Sequence, residues 1–86
     1  MHKDLEWLHV ADPEATTLLL MYKDRTGLIP VIRVMGEIML MKPYEQTPAE
    51  YYIFMPTECC AVAHYPNLNE AKLALQERAE KDLEGK

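Results

Sequence analysis

The side chains that could do chemistry are few and far apart. Cys59 and Cys60 are neighbours, His64 follows four residues after Cys60, and His9 and His2 lie near the other end of the chain. A thiol nucleophile needs a histidine within hydrogen-bond reach. On a single strand Cys60 and His64 share a face but stand about 13 Å apart, so a dyad forms only if another strand brings His9 alongside. The same spacing argues against a zinc site drawn from Cys60, His64, His9, His2 and Glu58, because zinc is usually held by closely paired ligands. No serine occurs in the chain, which removes serine-nucleophile chemistry. Glu45 and Glu50 flank a polar connection and read as solvated carboxylates, not as an acid–base pair. Three glycines do not make a phosphate-cradling loop. The expectation is no catalytic residue, no metal site and no cofactor.

The two cysteines close no loop, so they form no disulfide framework. They are expected to be reduced and to act as small buried hydrophobes.

Patterning gives the elements. Leu28 to Met41, Leu-Ile-Pro-Val-Ile-Arg-Val-Met-Gly-Glu-Ile-Met-Leu-Met, reads as two adjoining strands in the middle of a sheet, parted by a turn at Gly36. Before it, Lys23-Asp24-Arg25-Thr26-Gly27 is a hairpin signal with Gly27 at the left-handed position. That signal favours strand for residues 16–22, although Asp12-Pro13-Glu14 suits a helix start as well as a tight turn. Residues 5–10 fit a first strand with Leu5, Trp7 and His9 on one face, and fit one helical turn as well. Pro30 should sit at a bulge or turn its missing donor outward, and Pro43 should end a strand over 38–42. Residues 51–55 and 59–65 complete the strand pattern. Asn67 then caps a helix, with Glu70 three residues on in a capping-box arrangement. Leu68, Ala71, Leu75, Ala79 and Leu83 form its apolar stripe, and Gly85 ends it.

The predicted fold is α+β, an antiparallel β-meander of five to six short strands with one C-terminal amphipathic helix packed on one face, in a single domain over 1–86. The stretch Tyr65-Pro66-Asn67-Leu68-Asn69-Glu70-Ala71-Lys72 resembles the approach to the last helix in many small phage and mobile-element proteins of meander-plus-helix type. The likeness covers about a tenth of the chain and is largely capping chemistry; an inhibitor or accessory protein of the kind such elements encode is expected from the strand patterning, the tyrosine-rich connection and the lack of a catalytic constellation.

Composition sets further bounds. The chain has 86 residues, 49% hydrophobic and 27% charged, which suits a folded domain rather than disorder. A domain this small buries only roughly 60–65% of its unfolded surface, so its margin is thin unless association adds to it. The net charge is −5 with a pI near 5.1, and no basic track is visible to neutralise phosphates. Nucleic acid is therefore not an expected partner. No apolar run approaches the roughly 20 residues of a membrane span, and the N-terminal residues show no signal peptide. The expectation is a cytoplasmic protein with no membrane partner.

One conflict points to a partner. A sheet with one face on a helix and one in water should alternate apolar with polar residues. Residues 28–35 instead set Leu28, Pro30, Ile32 and Val34 against Ile29, Val31, Arg33 and Met35, apolar on both sides. A helix of about 17 residues is roughly 25 Å long and covers one face. The other must be buried by self-association, by curling of the sheet, or by another protein, with a homodimer favoured. The residues expected to carry recognition are Tyr44, Tyr51 and Tyr52, around the Pro43–Tyr52 connection, and Met39 and Met41, which share a face. Tyrosine is enriched at interface centres, and methionine repacks readily on binding surfaces. The expected function is a small non-enzymatic interaction module, self-associating or docking on a larger assembly. The alternative is a small-molecule-binding module or minimal enzyme with its pocket in a curled sheet or at a dimer interface.

Overall fold

In the computed structural model, five strands lie in chain order across one antiparallel sheet. They are β1 (Leu5–Asp12), β2 (Ala15–Asp24), β3 (Val31–Met41), β4 (Glu50–Phe54) and β5 (Ala63–Tyr65). One helix, α1 (Leu68–Glu84), packs on one face. The fold is the α+β meander expected from the sequence, with five strands. The structure describes residues 2–12, 15–42 and 44–85, so Pro13 and Glu14 of the expected turn and Pro43 lie outside the described residues.

The helix forms where its end signals stand. Asn67 is extended (φ −130°, ψ 151°), and its Oδ1 accepts the Glu70 amide at 2.9 Å. That bond satisfies one of the four N–H groups a helix start leaves open. At the other end the Gly85 amide donates to the Lys81 carbonyl at 3.0 Å. Ala71, Leu75 and Ala79 are buried from the middle of the stripe, and Leu68 and Leu83 pack at its ends. Small residues on either side of Leu75 let the helix lie close on Leu5, Leu18, Leu20, Ile38 and Ile53, the sheet's part of the core. Lys72 Nζ sits 5.2 Å from the centre of the Trp7 ring, tying the helix to β1. Among the described residues, Trp7 Nε1 is the one buried side-chain polar atom without a hydrogen-bond partner.

β3 departs from the expectation. It is one continuous strand, not two, and no glycine among the described residues has positive φ, so neither Gly36 nor Gly27 turns the chain in a left-handed conformation. Gly36 has a packing role instead. A Cβ built there would run into Leu75 Cδ1, so the missing side chain is what lets Leu75 seat against the strand. The strand also carries a bulge. Leu20 pairs with Gly36 and Met21 with Val34, leaving Met35 as the extra residue. The connection before the strand takes in Leu28, Ile29 and Pro30, and Pro30 thus stands outside the ladder. Its turn is held by Asp24 Oδ1, which accepts from the Thr26 amide at 3.0 Å and from its hydroxyl at 2.6 Å.

The last strand is also shorter than the expected 59–65. β4 ends at Phe54, the Glu58 amide donates to the Met55 carbonyl, and contact with the sheet resumes where the Val62 amide meets the Ile53 carbonyl at 2.9 Å. Cys59 and Cys60 fall on the bend between these points. Both are exposed free thiols, not the buried hydrophobes expected of them.

Candidate interaction surface

The bulge decides which side chains face away from the helix. Side chains on one face recur at every second residue, and one extra residue exchanges the two sets. Before the bulge, Ile32 and Val34 point to the open face; after it, Glu37, Met39 and Met41 do. Arg33, Met35, Gly36 and Ile38 lie on the helix side, where Leu83 comes close to Arg33 and Met35. The bulge thereby joins Ile32 and Val34 to the face of Glu37 and Met39, while Val31, opposite Asp24, stays exposed on the helix side.

That surface reads in rows across the strands. Val10, Thr17, Met39, Tyr52 and His64 form one row. Leu8, Leu19, Glu37 and Phe54 form the next, followed by Glu6, Met21 and Val34, and then by Lys23 with Ile32. No described element covers it. Ile32 and Val34 keep 55% and 43% of their surface in solvent, and Leu8 and Val10 are exposed beside them. Past Ile32 the hairpin tip carries Leu28, fully exposed at 106%, and Ile29 at 76%. The molecule is correspondingly elongated, 50 × 26 × 23 Å.

The charged groups of this face are Glu6, Lys23, Glu37, Glu50 and His64. His64 Nδ1 lies 2.6 Å from Glu50 Oε2, and its ring stands 5.3 Å from that of Tyr52. Glu37 sits half-buried between Leu19 and Phe54 in the middle of the apolar surface. Among the described residues neither Glu37 nor Lys23 makes a side-chain ion pair, whereas both arginines of the hairpin are paired, Arg25 with Asp4 and Arg33 with Asp24, each at 3.1 Å.

The structure distributes the residues singled out for recognition. Met39, Met41 and Tyr52 lie on the open face, Met39 directly opposite Tyr52. Tyr51 points to the helix side and packs against the core. Tyr44 is exposed in the connection after β3, where its carbonyl accepts the Thr47 hydroxyl at 2.8 Å. Leu8, Leu19, Met21, Ile32, Val34, Phe54 and the two unpaired charges were not nominated from the sequence. Alternation within β1 and β2 carries the signal for the first three; for β3 the bulge hides it.

The chemistry-bearing groups are not brought together. β1 and β5 are opposite edges of an open sheet, four strand spacings or about 19 Å apart. His9 therefore stands far from His64, and the sheet does not curl onto itself. Among the described residues no three metal-ligating side chains converge. An open groove of 770 Å³ beside α1 is lined by Met55, Tyr65 and Ala74 together with charged groups such as Glu77, Arg78 and Lys81. Among the described residues no helix is long and apolar enough to cross a membrane. Comparison with known protein families, with curated proteins and with solved structures finds no match to the chain.

Proposed function

We propose that the chain is a non-enzymatic interaction module that works by covering the open face of its sheet, first of all with a second copy of itself. The observation that supports this reading is the contiguous apolar surface formed by Leu8, Leu19, Met21, Ile32, Val34 and Phe54, with Met39 and Tyr52 in the next row. The hairpin tip extends it with Leu28 and Ile29, the two most exposed large hydrophobic residues among those described. Stable monomers rarely present contiguous patches beyond about 300–600 Å². An accessory role on a larger assembly uses the same surface after, or in place of, self-association.

The test is molar mass by light scattering after size exclusion, over a concentration series. The expected result is a dimer or larger species, converted to monomer by Leu19→Glu with its fold retained. A wild-type chain that stays monomeric at millimolar concentration overturns the reading.

A further inference from the structure

We infer that two copies pack face to face about a two-fold axis running across the strands at the Met21–Val34 row, with Glu37 of each copy paired to Lys23 of the other. The inference rests on the self-association proposed above and specifies its register.

The argument begins with Glu37. A carboxylate in the middle of an apolar face is disfavoured when a partner removes its water, unless that partner supplies a cation. Among the described residues of its own chain none pairs with it, and the two arginines of the hairpin are committed to Asp4 and Asp24. Lys23 is the cation this face leaves uncommitted, and it stands on the far side of the Met21–Val34 row from Glu37.

The two groups are symmetrically placed. Leu19 and Glu37 lie one same-face step before the Met21–Val34 row, about 7 Å along the strands, and Lys23 and Ile32 lie one step after it. A two-fold at that row reverses the strand direction of the second copy. It sets Lys23 of the copy over the Glu37 row and Glu37 of the copy over the Lys23 row, so both pairs form at once. Lys23 and Glu37 come from neighbouring strands, a lateral offset of about 4.8 Å that a lysine side chain spans. Stacked sheets pack about 10 Å apart, leaving room for Leu19, Met21, Ile32 and Val34 to interdigitate between the pairs. Glu6 ends the axial row at the outer edge of β1, so the two-fold sets it opposite Glu6 of the mate; unlike Glu37 it is exposed at the rim, where water separates the two carboxylates.

The same axis accounts for the hairpin tip. Leu28 and Ile29 lie beyond Ile32 at one end, and Met39 and Met41 lie beyond Glu37 at the other. The two-fold brings the tip of each copy to the Met39–Met41 end of its mate's face. By contrast, a two-fold at the Leu19–Glu37 row opposes the two carboxylates.

A charge exchange tests this register. Glu37→Lys and Lys23→Glu are expected each to raise the dimer dissociation constant about 100-fold or more, because each sets like charges opposite each other. An equimolar mixture of the two variants should recover the wild-type affinity as a heterodimer. In that species the introduced lysine of one chain faces the introduced glutamate of the other, and the unaltered Lys23 and Glu37 face each other at the second pair. Recovery in trans also demonstrates that both variants are folded. Dimers of unchanged affinity in the single variants overturn the register while leaving self-association standing. Loss in both variants without recovery on mixing overturns the charge pairing. A wild-type chain that never dimerises overturns this inference and the reading beneath it.

Discussion

The two faces of the sheet are built from similar residues and meet different fates. On the helix side, Leu20, Ile38 and Ile53 are wholly buried against Ala71, Leu75 and Ala79. On the other side Leu8, Ile32 and Val34 keep about half of their surface in water, next to partly buried Leu19, Met21, Met39 and Phe54. Burial on the first face is supplied within the chain by one helix; on the second no described element supplies it. Substitutions on the helix side should therefore report on folding and those on the open side on association, and the contrast is open to measurement.

The largest expected effect is at the centre of the covered face. Leu75→Ala should lower unfolding free energy by about 2–5 kcal/mol, the range for deleting a buried leucine. Leu19→Ala on the open face should change the monomer's stability by only about 0.5 kcal/mol. Denaturant unfolding at a concentration where the chain is monomeric compares the two, and equal losses would break the contrast. Next comes Gly36→Ala, expected to cost about 1–3 kcal/mol because its methyl group meets Leu75. Combined with Leu75→Ala it should cost clearly less than the sum, since the smaller side chain vacates the space. Strict additivity in that double-mutant cycle would mean that Gly36 serves some purpose other than seating the helix.

Smaller effects sharpen the picture at the margins. Asn67→Ala removes the acceptor for the Glu70 amide and should cost about 1 kcal/mol in thermal unfolding, with Asn67→Asp nearly silent. Arg33→Ala breaks an exposed pair with Asp24 at the hairpin and should cost about 0.2–1 kcal/mol. Most of that loss should vanish in 1 M salt, where the Debye length is about 3 Å. A loss unaffected by salt would show that Arg33 stabilises the hairpin through its aliphatic stem.

Signals in the chain are legible where the physics is local. Asn67 and Glu70 announce a helix start because capping joins groups three residues apart. The stripe through Ala71, Leu75 and Ala79 follows from the helical period, and a turn after β2 follows from Asp24 and Thr26, although it runs over residues 25–30 without a left-handed Gly27. Tyr51 and Tyr52 both qualify for recognition by residue type, but adjacent strand residues point to opposite faces, and only the register shows that Tyr52 takes the open one. The cysteines stand in a run of strand-like composition, yet the early end of β4 puts them on an exposed bend.

By itself, then, the sequence determines a meander of strands followed by one capped amphipathic helix, and more apolar strand surface than that helix can cover. The identity of the uncovered surface belongs to the tertiary structure. Leu75 seats on Gly36, the ladder slips by one residue at Met35, and the slip carries Ile32 and Val34 to the side of Glu37 and Met39. Strand faces alternate with period two, so one bulged residue reassigns every side chain on one side of it. The bulge lies in the register between β2 and β3 and the glycine's role in a contact with a helix almost forty residues downstream, so neither is written in any short window of the chain.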